Sequence, residues 1–189
     1  MTLNADSRAA LLMAARHSIE QTLSGSQSVF KNSKLDPVLR EPQASFVTLK
    51  RHGALRGCIG TLVAQRPLLD DVIHNARAAA FEDPRFPSLT QPELESLQIE
   101  ISVLSKAESI TAGNRAELLC MLKRGVDGLI VQEGTRRATF LPAVWKTLPD
   151  ASMFYDELMQ KAGLGAGHWS SALKFFRYHT DSFSNEEQI

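Results

Sequence analysis

Residues 44–62 read ASFVTLKRHGALRGCIGTL, and this stretch decides the fold. Two runs rich in β-branched and apolar residues, 44–51 and 55–62, flank the short segment His52-Gly53-Ala54. Glycine supplies the backbone freedom that a tight turn between two strands requires. The stretch therefore predicts an antiparallel hairpin with its turn at Gly53.

The second strand of this hairpin has an unusual composition. Successive side chains of a strand point to opposite faces of the sheet, so Arg56 and Cys58 are expected on one face. Leu55 and Ile59 are expected on the other face, in the core. A glycine inside a strand weakens it unless a bulge, a ligand or another backbone needs the space. The strand is therefore the first place to look for a site.

Hydrophobic periodicity extends the prediction along the rest of the chain. It predicts helices over 7–23, 67–82, 114–125 and 151–162, and further strands over 97–105, 128–133, 136–141 and 173–180. Hairpins mixed with single helices favour an α+β fold, a mostly antiparallel sheet flanked by helices, over a doubly wound parallel sheet.

Length and composition set the domain organisation. A chain of 189 residues with 43% hydrophobic residues is long enough to bury one substantial core. We expect residues 1–189 to form a single domain, with flexible ends at 1–5 and 184–189. Metal or disulfide crosslinks are not needed at this size.

The charge balance limits the classes of partner. The 21 Lys and Arg residues equal the 21 Asp and Glu residues, so no electrostatic argument favours nucleic acid or an anionic membrane surface. No stretch approaches the roughly 18 apolar residues of a membrane span, and charged residues interrupt the N-terminal apolar positions. With only Cys58 and Cys120 present, we expect reduced thiols and a cytoplasmic protein.

Cys58 has two interpretations. An arginine beside a thiol favours the nucleophilic thiolate, and Arg56 together with the backbone of Gly57 and Gly60 could cradle a carboxylate or phosphate. Alternatively, Cys58 is a small buried hydrophobic residue, which is the usual state of a free cysteine. Neither cysteine has a histidine at metal-ligand spacing, and no phosphate-binding motif is present, so no metal or cofactor is expected.

Four further residues are candidates. Glu100 lies opposite the apolar side of its predicted strand, and it is either a general acid or base facing Arg56 or an exposed carboxylate. Asp83 and Arg85, in a loop bounded by prolines, either rim a pocket or organise their own loop. Lys161 falls in the last turn of a helix, where a cation complements the helix dipole.

Several stretches together resemble the AMMECR domain family. They are LRGCIG at 55–60, AAFEDPRFP at 79–87, IEISVLS at 99–105, GVDGL at 125–129, FLP at 140–142, and KAGL at 161–164 followed by Trp169. They span nearly the whole chain in the family's order. The resemblance implies an α+β domain of two lobes sharing a cleft, with the hexapeptide 55–60 at that cleft, and it adds Lys161 to the candidate pocket residues.

The resemblance also implies partners, without implying a reaction. Similar proteins of bacteria and archaea are called protein A of the AmmeMemoRadiSam system, and they are associated with a Memo-like protein and a radical S-adenosylmethionine protein. Two hypotheses follow. In the first, an enzyme acts on an anionic small molecule or peptide, with Arg56 orienting it, Cys58 as nucleophile and Glu100 moving a proton. In the second, a non-catalytic module binds a ligand or partner, and Cys58 only packs.

Overall fold

The computed structural model describes residues 3–26, 30 and 36–185. In chain order the strands are β1 (Ser45–Arg51), β2 (Ala54–Gly60), β3 (Leu97–Leu104), β4 (Glu108–Ile110), β5 (Gly128–Glu133), β6 (Arg136–Phe140), β7 (Lys174–Tyr178) and β8 (Thr180–Ser184). The α-helices are α1 (Ala5–Ser24), α2 (Leu68–Phe81), α3 (Arg115–Met121) and α4 (Ala151–Lys161). Short 3-10 helices cover Pro37–Arg40, Gln91–Ser96 and Pro142–Lys146.

These elements form two antiparallel sheets of four strands flanked by helices, which confirms the predicted α+β class. The chain divides into two compact units, Met1–Leu104 with Asp181–Ile189, and Ser105–Thr180. That the whole chain behaves as one domain stays a prediction. The predicted flexible ends fall partly outside the described residues, at 1–2 and 186–189.

The first unit packs its helices on one face of the sheet β2-β1-β3-β8. The helix α1 begins at Asn4, whose side chain accepts a hydrogen bond from the Ser7 amide, and ends at Gly25 in the left-handed conformation. The core between sheet and helices is built almost entirely from aliphatic side chains and alanines. Its members include Leu11, Val47, Leu49, Val72, Ala76, Ala79, Ile99 and Ile101.

The predicted hairpin is present, but a bulge changes its alternation. Leu49 lies opposite Gly57, whereas Lys50, the next residue of β1, lies opposite Leu55. Arg56 is therefore an extra residue without a partner in β1. As a result, Leu55 lies on the face of Lys50 and not on the core-facing side of Leu49. The prediction that Leu55 lies in the core is wrong, because this shift leaves it 43% exposed.

The second unit packs α4 beside the sheet β4-β7-β5-β6. Its core is aromatic, and the rings of Trp145 and Phe154 stack with centroids 3.8 Å apart. The predicted last strand over 173–180 corresponds to β7, which ends at Tyr178. A further strand, β8, follows and joins the first sheet, with Phe183 in the core of the first unit. Among the described helices, none has the length and apolar character to cross a membrane.

Candidate functional site

Cys58 lies on the face of the first sheet opposite α1 and α2, here called the outer face. Thr48 at the centre of β1 is opposite Cys58 on one side and opposite Glu100 on the other. The Cys58 sulfur is partly buried and lies 3.3 Å from the Thr48 hydroxyl. The thiol, a hydroxyl and a carboxylate therefore form one row across three strands, and the sulfur is not sealed in the core.

The edge strand β2 is held at Cys58 by an ion pair from the loop that follows α2. The Cys58 amide donates to Asp83 Oδ2 at 2.8 Å, and Arg85 Nη2 donates to the Cys58 carbonyl at 3.2 Å. Asp83 and Arg85 are joined to each other by a bond of 2.7 Å. A carboxylate and a guanidinium thus take the place that a neighbouring strand would occupy. They supply hydrogen-bond partners for the Cys58 amide and carbonyl at the free edge of the sheet.

This ion pair places the Arg85 guanidinium beside the thiol. Hydrogen bonding to the Arg85 guanidinium holds the pKa of Asp83 well below its usual range, although burial opposes the shift. The pKa of Arg85 is raised, mainly by its hydrogen bond to Asp83 and in smaller part by the Cys58 side chain. Asp83 is almost fully buried, whereas 55% of the Arg85 side chain is exposed. Beside Cys58 the carboxylate of this pair is thus shielded from solvent, whereas the guanidinium is open to it.

Arg56, the arginine expected beside the thiol, has a different partner. Its Nε and Nη2 donate to the two carboxylate oxygens of Glu93 at 2.8 and 3.2 Å, and only 11% of its side chain is exposed. Hydrogen bonding to Arg56 lowers the pKa of Glu93 to about 2, against the effect of burial. The expectation that Arg56 and Cys58 share a face does not hold, because the bulge takes Arg56 out of the alternation.

The two glycines of the hexapeptide are explained by close packing. A Cβ on Gly57 would overlap the backbone carbonyl of Ala79 in α2, and a Cβ on Gly60 would overlap the ring of Phe46. Gly57 is buried on the helix-packed side of β2, away from the Cys58 sulfur. The proposed role of these glycines as a ligand cradle has no support in this geometry, since protein atoms fill the space in front of both.

Glu100 shares the outer face with Cys58 but is not a free base. Its carboxylate accepts a bond of 2.7 Å from Lys50, so one of its oxygens is already occupied. Because Thr48 lies between them, Glu100 and Cys58 are two strand spacings apart, roughly 10 Å between backbones. Any proton transfer between them would therefore pass through Thr48 or a water molecule.

Lys161 belongs to the second unit, at the end of α4. Its ammonium group donates to the carbonyl of Thr139 at 3.0 Å and lies over the ring of Phe140. These contacts fit its position in a last helical turn. Among the described residues, no group of three or more His, Cys, Asp or Glu side chains could hold a metal ion.

Three residues of the neighbourhood, Thr48, Lys50 and Glu93, were missed as site components. Counting residues outward from the hairpin turn could have identified Thr48 as the partner of Cys58 in β1. Thr90 and Glu93 have the three-residue spacing of a capping box, and the structure contains that box. Nothing in the sequence indicates that the same carboxylate also binds Arg56 from β2.

Comparison with known proteins gives concordant results. A family model described as AMMECR1 matches residues 12–183. A protein from Methanothermobacter thermautotrophicus is 39% identical over 86% of this chain and 85% of its own, and one from Thermofilum pendens is 36% identical over 96% and 91%. The crystal structure of an uncharacterized protein from Pyrococcus horikoshii superposes with a TM-score of 0.87 at 34% identity, covering 93% of this chain and 90% of that one.

Proposed function

This chain belongs to the AMMECR1 family, and we propose that the edge of its first sheet at Cys58 binds the anionic group of a small molecule or peptide. The binding group is the Arg85 guanidinium. The observation that carries this proposal is the contrast in exposure within one ion pair: Asp83 is 2% exposed, and Arg85 is 55% exposed. A guanidinium that is fixed by a buried carboxylate and is itself exposed to solvent can bind an anion with little rearrangement.

The hydrogen bonds of Arg85 support this role. Among the described residues, its bonds use the backbone amide, Nε and Nη2, directed to Asp83 and to the Cys58 carbonyl. None of these four bonds uses Nη1, and we expect this group to donate to a carboxylate or phosphate oxygen. Since Asp83 already holds the guanidinium in place, little side-chain freedom is lost when a ligand binds, and this favours affinity.

A second candidate function is covalent catalysis by Cys58. The observation in its favour is a partly exposed sulfur beside a cation and 3.3 Å from the Thr48 hydroxyl. In that reaction the sulfur bonds to a carbonyl carbon of the ligand, the bond to the leaving group breaks, and the thiol proton departs with that group. Water then hydrolyses the thioester and returns the thiol.

The partners of Glu100 and Arg56 favour anion binding over covalent catalysis as the function of this site. Glu100 is bonded to Lys50, and Arg56 is bonded to Glu93. The three residues first expected to form the catalytic group therefore do not converge on one reacting atom. Arg85 takes over the orienting role first given to Arg56, and Glu100 could act on Cys58 only through an intermediate group.

The binding proposal is tested by protection of the Cys58 thiol. We expect inorganic phosphate, at constant ionic strength, to slow alkylation of Cys58 by iodoacetamide in a saturable way. Arg85→Ala should abolish the protection, and Arg56→Ala, the matched control, should retain it. Cys120, which is exposed on α3, reports reagent activity in the same sample. Equal alkylation with and without phosphate would contradict anion binding at this edge.

The rate of the unprotected reaction separates the two functions. Fast alkylation of Cys58 at neutral pH, slowed by Arg85→Ala, would support the nucleophile. Alkylation only after denaturation would remove both the nucleophile and the accessible site.

We also propose, on the resemblance alone, that the protein works in the cytoplasm with a Memo-like protein and a radical S-adenosylmethionine protein. Co-expression with each partner and affinity capture of this chain test the proposal. Retention of either protein above a matched unrelated bait supports it. Failure to retain both, at comparable expression, counts against it without affecting the anion site.

A further inference from the structure

A second polar pair, Asp127 and His179, lies in the second unit and has no part in the function proposed above. The Asp127 side chain is 1% exposed, and its Oδ1 lies 3.0 Å from His179 Nε2. The His179 imidazole, located between β7 and β8, is 56% exposed. A buried carboxylate thus orients an exposed imidazole.

The carboxylate is fixed by its own turn. Asp127 Oδ2 accepts a bond of 2.8 Å from the Lys123 amide, and the Asp127 amide donates to the Lys123 carbonyl at 3.0 Å. The indole of the buried Trp145 donates to the Asp127 carbonyl at 2.7 Å. Both carboxylate oxygens are therefore committed, one to the turn and one to His179.

The histidine is fixed through its backbone as well. Its amide donates to the Ser105 hydroxyl at 3.0 Å, and its carbonyl accepts from the Ser105 amide at 2.9 Å. With the backbone held by Ser105 and one ring nitrogen held by Asp127, the imidazole has little rotational freedom. The orientation of its second nitrogen is thereby determined.

The chemistry of the pair fixes the tautomer. An ionised carboxylate only accepts hydrogen bonds, so His179 Nε2 must carry the hydrogen. In the neutral ring the lone pair then lies on Nδ1. A buried carboxylate bonded to one ring nitrogen is the arrangement that makes the other nitrogen a base and stabilises the imidazolium that forms.

We propose that His179 is the general base of a second site, and that the ligand presents a hydroxyl group to Nδ1. In this step the ligand O–H bond breaks, its proton passes to Nδ1, and Asp127 balances the positive charge of the imidazolium. Asp127 is a positioning residue, since it acts through His179. The site requires neither Cys58 nor Arg85, so its failure and the failure of the anion site are separable.

The same unit supplies a matched comparison. His168 Nε2 lies 3.0 and 3.2 Å from the two oxygens of Glu133, and its side chain is 35% exposed. Glu133 also accepts a hydrogen bond from Ser170. Glu133 therefore accepts from two side chains, whereas Asp127 accepts from one side chain, His179, and from the Lys123 amide of its own turn.

The tautomer is measured by long-range nitrogen–proton NMR on the full chain, above the pH at which histidine titrates. We expect wild-type His179 as the Nε2–H tautomer. In Asp127→Asn the NH2 group of the new side chain would donate to Nε2, so we expect the Nδ1–H tautomer. The asparagine side chain retains an oxygen for the Lys123 amide, so the turn is preserved. An Nδ1–H or evenly mixed wild-type population would overturn the proposal, even if the variant did not fold.

Reactivity is measured with diethyl pyrocarbonate, a small electrophile that attacks an unprotonated ring nitrogen. At pH 8 we expect the adduct of His179 at Nδ1, forming at least about threefold more slowly in Asp127→Asn because Nδ1 then carries the hydrogen and has no free lone pair. The Glu133→Gln variant should leave the His179 rate unchanged. Adduct formation at Nε2, or equal rates in the wild type and in Asp127→Asn, would show that Asp127 only caps its turn.

Discussion

The two units of this protein are packed in different ways. The core of the first unit is aliphatic, and alanines at the contact let α2 approach β2 so closely that only glycine fits at position 57. The core of the second unit is built around aromatic rings, with Trp145 stacked on Phe154 and Tyr155 fully buried. Large side chains fill space between elements, whereas small ones bring backbones together.

The close packing of the first unit bears on the anion site that we propose at its edge strand β2. The close contact at Gly57 fixes β2 from one face, and the Asp83–Arg85 ion pair fixes the same strand along its edge. A strand held from two directions presents the Cys58 thiol in a defined position. Substitutions in the aromatic core, at the close contact and at the ion pairs should therefore differ in their cost to stability.

Truncating the aromatic core should destabilise the second unit most. Phe154→Ala removes a fully buried ring stacked on Trp145, and we expect a loss of about 4 kcal/mol in the free energy of unfolding. Met153→Ala, the neighbouring residue of α4 with 55% exposure, is the control and should have little effect. Urea denaturation followed by tryptophan fluorescence measures both. Similar losses for the two variants would contradict the aromatic core.

Adding a single methyl group should test the close contact in the first unit. In Gly57→Ala the new Cβ overlaps the Ala79 carbonyl, which belongs to a helix backbone and cannot rotate away. We expect a loss of about 3 kcal/mol. Gly165→Ala has open space and an ordinary backbone conformation, and it should be nearly neutral. The thermal unfolding midpoints of the two variants are compared with that of the wild type. A Gly57→Ala midpoint equal to the wild-type value would contradict the close contact between α2 and β2.

Acid should weaken the first unit through Glu93. Its folded pKa is about 2, below the ordinary value of 4.5, so its stabilising contribution is present above about pH 4.5 and is lost as the pH falls toward 2. Between pH 5 and pH 2 the wild type should lose about 2 kcal/mol more than Glu93→Gln, which lacks the charge at every pH.

The control for this titration is Glu95→Gln, an exposed residue of the same 3-10 helix. Its stability curve between pH 5 and pH 2 should run parallel to that of the wild type. Parallel curves for the wild type and Glu93→Gln would contradict the ionic bond between Glu93 and Arg56.

The smallest effect should come from the ion pair on the outer face. Lys50 and Glu100 are 2.7 Å apart, but the Lys50 side chain is 39% exposed. Solvent screens such a pair, so Lys50→Ala should cost about 0.5 kcal/mol, and less in high salt. A double-mutant cycle with Glu100→Gln measures the pair directly. A coupling above about 2 kcal/mol would mean that Glu100 is far less solvated than its exposure indicates.

Most of the fold could be predicted because it rests on local patterns. Alternation predicted β3, helical spacing predicted α2 and α4, and glycine predicted the turn between β1 and β2. The strand β4 has three residues, too few to establish a period, and β8 continues from β7 after one residue, with no turn signal to separate them. These elements exist because tertiary pairing stabilises them.

The site was predicted less well because it depends on register. Cys58 and Glu100 were expected on one face, and the strand pairing places Thr48 between them. The bulge at Arg56 has no local signal, since it arises from how β1 and β2 pair across the turn. Because of this one extra residue, Arg56 binds Glu93, and the arginine beside the thiol is Arg85.

The central claim, that Arg85 forms an anion site beside Cys58, is tested most directly with two alkylating reagents. Iodoacetate and iodoacetamide both react with the thiolate, but only iodoacetate is an anion. The rate with iodoacetate divided by the rate with iodoacetamide therefore reports attraction for anions at a cysteine. The ratio at Cys58 is normalised by the same ratio at Cys120. We expect a normalised ratio above one in the wild type, unchanged in Arg56→Ala and reduced toward one in Arg85→Ala. A ratio that is the same with and without Arg85 would contradict this claim.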